Sequence, residues 1–164
     1  MKERTFPHIP KSSKSLAPGD FWSIPLDGGR FACGRVIGPD RLGESCGQGN
    51  STRGFLAGLL DWVSDSPPTS EAIAGAQTLI QGGAHIKTIL KTGGSILGNR
   101  PLELDGIQPH LSIDYPVNTY AAVFRGLEMI RVASEEDVRT LPMLSAFGFM
   151  FMCEYANHHL QRNA

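Results

Sequence analysis

The sequence has no CxxC pair, no long uninterrupted apolar run and no excess of charge of either sign, and each lack removes a class of protein. Its 3 cysteines, Cys33, Cys46 and Cys153, are odd in number and widely spaced. That argues against the paired framework of a secreted disulfide scaffold and fits a reducing cytosol in which thiols stay free. The longest apolar stretch, residues 141–153, is interrupted by Pro142 and Ser145 and falls short of the roughly 20 apolar residues a spanning helix needs. Residues 1–16 carry basic side chains with no apolar run after them, so they do not read as a secretory signal; a flexible, loosely held tail is expected there. Against 16 aspartates and glutamates stand 15 lysines and arginines, so no overall field draws the chain to nucleic acid or an anionic membrane. A charged partner must meet a local patch. The expectation is a soluble, cytoplasmic protein.

A chain of 164 residues is long enough to bury a sizeable core without a metal or disulfide staple. One α+β domain over residues 17–164 is expected, with no internal repeat. The clearest element within it is a hairpin at residues 18–38. Trp22, Ile24 and Leu26 alternate onto one face of the first strand, and Phe31, Cys33 and Ile37 onto one face of the second. Between them Asp27-Gly28-Gly29 supplies the positive φ values that a tight turn demands.

Beyond it, residues 38–54 are rich in Gly, Ser and Asp and read as a surface loop, and residues 55–63 as a buried strand ended by Ser66-Pro67-Pro68. Thr69 or Ser70 is placed to cap a short amphipathic helix over residues 70–81, with Ile73, Ala76 and Ile80 at helical spacing and Gly82-Gly83 ending it. Strand character returns at residues 84–91 and 95–98, and Leu102 and Leu104 alternate with Glu103 and Asp105. Residues 106–118 read as irregular, because Pro109 and Pro116 exclude a central strand. Residues 120–124 and 127–132 form a strand pair across Arg125-Gly126, Ser134 caps a helix with an acidic first turn, and residues 143–160 read as a mostly buried terminal helix. The fold class is α+β, mainly antiparallel: a twisted sheet or small, partly open barrel with one short helix and the C-terminal helices packed on it.

The run Pro18-Gly19-Asp20-Phe21-Trp22-Ser23-Ile24-Pro25-Leu26, the Asp27-Gly28-Gly29 turn and Phe31-Ala32-Cys33-Gly34-Arg35-Val36-Ile37 together resemble the opening motif of the immunity protein 26 family of bacterial polymorphic-toxin systems. A weaker echo lies at residues 92–102. The similarity extends over about residues 17–133, and its specific part is the first hairpin; residues 134–164 match nothing in the family pattern. The resemblance implies a cytosolic, non-enzymatic protein that neutralises a cognate toxin domain by binding it, and it supplies no catalytic residues.

The candidate reactive groups are weighed on their own terms. Residues 43–52 superficially resemble a phosphate-cradling loop, but the P-loop lysine is missing. Cys46 is a possible nucleophile for a small cysteine- or histidine-dependent enzyme, with only Arg41 and Arg53 near in sequence to activate it; an inert loop cysteine is the ordinary reading. Glu154 and His158 lie at i and i+4 beside His159, too few ligands for a structural zinc, and His85 and His110 have no acidic neighbour at useful spacing. Asp20 reads as turn chemistry, and Arg35 as paired across the hairpin or solvated. A nucleic-acid-binding SH3-like barrel stacking bases on Trp22 and Phe31 is a further alternative, weakened by the near-zero net charge. No cofactor and no metal is expected.

Two features bear on binding. Ala32, Gly34, Val36 and Gly38 place small side chains on one strand face, where a helix or another backbone can approach closely. Asp40 and Glu44 in the loop, with Asp61, Asp65 and Glu71, offer carboxylates to a basic toxin surface, although each also reads as an ordinary solvated acid. The expected partner is a toxin protein, with no nucleic acid and no membrane.

Overall fold

The hairpin forms as its alternation dictates. In the computed structural model, which describes residues 3–40, 52–116 and 120–161, β1 (Asp20–Pro25) pairs antiparallel with β2 (Phe31–Pro39), setting Trp22 opposite Gly34 and Ile24 opposite Ala32. Gly28 and Gly29 take φ of 81° and 82° in the turn, a conformation that a Cβ disfavours. On the far side of β2 lies β3 (Gly54–Ser64), then β4 (Thr78–His85), while β5 (Ile96–Asn99) joins β1. The order β4-β3-β2-β1-β5 is thus a meander with one strand returned to its open side.

A second, 3-stranded sheet follows, β6 (Leu111–Asp114), β7 (Ala122–Arg125) and β8 (Glu128–Val132), paired in that order. Among the described residues there are three short α-helices, α1 (Lys87–Leu90), α2 (Glu135–Thr140) and α3 (Phe151–His159). Every strand pair is antiparallel and neither sheet closes, so the architecture is α+β with open sheets. No helix among the described residues is long and apolar enough to cross a membrane.

Both faces of the larger sheet are covered, which is why β2 is almost continuously buried. On one face Trp22, Ile24, Ala32, Val36, Phe55 and Leu59 pack with Ile89 and with Met152, Ala156 and Leu160 of α3. On the other, Phe21, Cys33, Ile37 and Leu60 pack with Ile73, Leu102, Ile107 and Leu127. The small residues of β2 make the first face possible. The Trp22 indole lies directly over Gly34, where a Cβ would stand 2.3 Å from Cζ2, and it meets Phe55 edge-on at 5.9 Å.

Several local expectations are corrected. The segment read as a helix over residues 70–81 makes one capped turn, in which Thr69 Oγ1 accepts the Ala72 N–H at 3.1 Å and Thr69 O accepts that of Ile73 at 3.2 Å. Gly75, at φ 80°, then turns the chain into β4. Gly82-Gly83 therefore stops no helix. It thins the strand where Phe147 crosses: a Cβ at Gly82 would lie 2.7 Å from Phe147 Cζ. The strand read over residues 84–91 ends at His85 and gives way to α1. Leu102–Asp105 is a 3-10 turn that buries Leu102 and directs the Asp105 carboxylate inward. Residues 106–118, expected to be irregular, hold β6 between Pro109 and Pro116, a position open to a short edge strand.

The terminal helix begins only at Phe151. Residues 142–147 before it run extended between the two sheets. Pro142 O accepts the Ile113 N–H at 2.9 Å and the Leu144 N–H donates to Ile113 O at 2.8 Å; then Ser145 O accepts the Gly83 N–H at 2.9 Å and the Phe147 N–H donates to Gly83 O at 2.7 Å. One segment is thereby bonded to the outer edges of both β6 and β4. Residues 3–16, read from the sequence as a tail, touch the sheet at two places: His8 and Ile96 of β5 exchange backbone hydrogen bonds of 3.0 and 2.8 Å, and the Ser13 N–H donates to Thr52 O at 2.7 Å before β3.

Candidate partner-binding surface

Two charged residues on the strands of the hairpin motif, Asp20 and Arg35, point into the protein. Asp20 is fully buried at the start of β1 and receives Nη1 and Nη2 of Arg4 at 2.6 and 2.7 Å, Nδ2 of Asn99 at 2.9 Å and the Ala17 N–H at 3.0 Å. It ties the N-terminal segment to β5 as well as serving the turn. Arg35, fully buried on β2, reaches Asp105 Oδ2 at 3.4 Å and donates through Nη2 to the carbonyl of Arg100. Asp105 also takes Nε and Nη2 of Arg100, both at 2.9 Å, and the Gly75 N–H at 2.8 Å. Hydrogen bonds from Arg100 are the main reason that the Asp105 carboxyl is held below the ordinary carboxylate range. Sequence reasoning missed this cluster: Arg35 and Asp105 are 70 residues apart, and Asp105 sat in a segment read as a strand.

With those charges engaged internally, the hairpin has an architectural role, and chemistry must be sought elsewhere. Burial pushes the Cys33 thiol well up, and Cys153 is raised by burial first and then by Asp27 and Glu154. A nucleophilic thiol needs the opposite shift. Cys46, Glu44 and most of the glycine-rich loop lie outside the described residues. Among the described residues no group of three or more His, Cys, Asp or Glu stands together to hold a metal. His159 instead stacks near Tyr155, with ring centroids 4.1 Å apart, and His158 meets His159 edge-on. Trp22 is fully buried and cannot stack on a base, which removes one of the two aromatics of the nucleic-acid reading, whereas Phe31 is half-buried.

Of the acidic residues, Asp61 lies on the last residues of β3, Asp65 directly after it and Glu71 further along the chain toward β4, and all three are exposed. Asp65 accepts Arg30 Nε at 3.1 Å, and Glu71 is close enough to Arg100 to help raise that guanidinium's pKa, after the Asp105 hydrogen bonds. Asp40 does not join them. It is half-buried at the opposite end, since β2 runs antiparallel to β3 with Pro39 beside Phe55.

That opposite end carries a group which sequence reading did not single out. Phe149 packs between the end of β4 and α1, with Lys87 Nζ 5.4 Å and Lys91 Nζ 5.3 Å from its ring centroid and the His85 ring 5.4 Å away. His85 Nδ1 accepts the Lys87 N–H at 3.0 Å, so in its neutral form the outward Nε2 carries the proton. The His85 pKa is lowered by burial and then by Lys87 and Arg53. No local motif could announce this group, because Phe149 lies far along the chain in a stretch that read as buried helix.

No curated protein and no solved structure matches the chain. A family model, that of immunity protein 26, matches residues 17–112. The match includes the first hairpin and the whole five-stranded sheet from Asp20 to Asn99, and it ends within β6, short of the residue 133 to which the sequence resemblance extended. Spanning more than half of a chain whose hairpin motif is the frame of that sheet, it identifies the protein as a member of the immunity protein 26 family.

Proposed function

We propose that this protein neutralises a cognate bacterial toxin by binding it in the cytoplasm, without catalysis of its own. The observation that carries this reading is the family match over residues 17–112. The interior supports it: the charged motif residues Asp20 and Arg35 brace the fold, and neither described thiol is activated. Recognition is then a surface property. The exposed carboxylates of Asp61, Asp65 and Glu71 offer one complementary face for a basic toxin site, Asp61 foremost, because Asp65 and Glu71 already have arginines nearby. Asp40, half-buried at the far end, forms a separate contact in this reading, and Glu44 lies outside the described residues.

Co-purification of the tagged protein with the product of the adjacent reading frame tests the proposal. A one-to-one complex that also restores growth to cells expressing the neighbour is the expected result. Absence of both complex and rescue refutes it.

A further inference from the structure

The Phe149 group concentrates positive charge in a way the fold itself does not require. Lys87 and Lys91 are four residues apart across α1, so their ammonium groups share one side of the helix and repel. Among the described residues neither has a carboxylate within ion-pair distance. What holds them together is the electron-rich face of one phenyl ring, toward which both ammoniums converge. His85 adds an outward N–H donor beside them. Exposed apolar side chains neighbour the group along the chain, Leu90 on α1 and Met150 and Phe151 after Phe149, the Phe151 ring itself stacking on Phe147. An exposed aromatic with apolar neighbours and lysines at its margin matches an apolar contact centre bordered by charge, since lysine is depleted at interface centres and belongs to the polar rim.

The charge is also sorted along the sheet. Gly54, next to His85, begins β3, and Asp61 stands seven residues on, about 23 Å away at strand rise. Asp61 and the lysine pair therefore lie toward opposite ends of one strand, with Asp40 at the lysine end and Arg30, bonded to Asp65, at the other.

We propose that the Phe149 patch is a docking site for an acidic, apolar-flanked segment of a protein partner. This rests on the reading that the chain acts by binding a toxin, and it assigns that toxin a second, carboxylate-rich contact distinct from any basic site facing Asp61. Charge complementarity selects the carboxylates, and Leu90, Met150 and Phe151 select the apolar flank. A nucleic-acid strand fits less well. It needs an open ring face for stacking and a track of cations along a backbone, whereas the Phe149 ring is already packed with two lysines and a histidine.

The test uses the full chain and a fluorescein-labelled, glutamate-rich peptide carrying one leucine, followed by anisotropy at low salt. Saturable binding is expected, weakened about tenfold or more by Lys87→Glu with Lys91→Glu, weakened also by Phe149→Ala, and unaffected by Arg125→Glu with Arg139→Glu, which matches the charge change elsewhere. Absence of saturable binding, equal binding by the Lys87/Lys91 variant, or displacement by a single-stranded oligonucleotide at lower concentration than by unlabelled peptide overturns the proposal. With the neighbouring toxin, the same double reversal should slow association about tenfold. A wild-type complex whose association rate the reversal leaves unchanged removes this patch and leaves the toxin reading intact. Failure of the wild type to capture the toxin, alongside patch-dependent peptide binding, removes the toxin reading and leaves the patch.

Discussion

Gly34 and Gly38 lie four residues apart on β2, with a register shift between Val36 and Gly38, and substitution by alanine should affect them in opposite ways. At Gly34 the new methyl would stand 2.3, 2.4 and 2.5 Å from three atoms of the Trp22 indole. Carbon atoms pack at about 3.5–4.0 Å, so the ring must retreat by more than an ångström. It has nowhere to go: Trp22 is fully buried, Phe55 meets it edge-on, and Met152 and Ala156 belong to the same cluster. Overpacking of this kind costs about 1–3 kcal/mol, offset by about 0.5–1 kcal/mol from the reduced freedom of the unfolded chain. Gly34→Ala should therefore lose roughly 1–2 kcal/mol, a Tm lower by about 3–8 °C for a chain of this size. At Gly38 an added Cβ meets nothing within 4 Å and no positive φ is required. Gly38→Ala should be neutral or slightly stabilising. Urea unfolding followed by tryptophan fluorescence measures both, and Trp22→Phe in the Gly34→Ala background should return part of the loss as a coupling energy of about 1 kcal/mol. Equal stability of the two alanine variants would refute the packing argument.

The buried charges and the cap of α2 give three more expected outcomes. Asp20→Ala should cost about 3 kcal/mol, since it strands Arg4 and Asn99, and amide exchange at His8 and Ile96 should quicken; unchanged exchange there would mean that the N-terminal segment is held by something else. Asp105 has a lowered folded-state pKa, so its stabilisation is complete above the unfolded value near about 3.9 and is lost as pH falls through the folded value. Asp105→Asn should accordingly be less stable than wild type at neutral pH, with the gap closing toward strongly acidic pH; a gap that widens on acidification contradicts the assignment. Ser134→Ala removes the side chain that accepts the Asp137 N–H at 3.1 Å and should cost about 1 kcal/mol, seen as faster exchange in α2 with the larger sheet undisturbed.

What could be read from the sequence was what local chemistry decides. The first hairpin, β3, the β7–β8 pair and the cap at Ser134 each carry their signal within a few residues: alternation, a Gly turn, or an acidic first turn. The errors arose where a distant segment sets the conformation. Ile73, Ala76 and Ile80 have helical spacing, but Ile73 is buried from a single turn whereas Ile80 lies in a strand, and Gly82 is small because Phe147 crosses it. Pro109 and Pro116 were good reasons to deny a central strand and no bar to an edge strand between them. The site divided in the same way. Exposure of Asp61, Asp65 and Glu71 follows from their chemistry, whereas burial of Arg35 depends on Asp105 and the Phe149 patch on a ring that meets α1 only in the folded chain.

The segment at residues 142–147 makes the outlying part of the chain a guard for the part that defines the family. A strand edge with unpaired N–H and C=O groups invites pairing with another molecule. Here Ser145 and Phe147 close the backbone of Gly83 on β4, while Pro142 and Leu144 do the same for Ile113 on β6. A chain cut after residue 112 would keep all five strands of the larger sheet and yet present β4 as an open template, so it should self-associate more readily than the whole protein. Sequence outside the family match is thus free to vary in length and composition only so long as something returns to cover that edge.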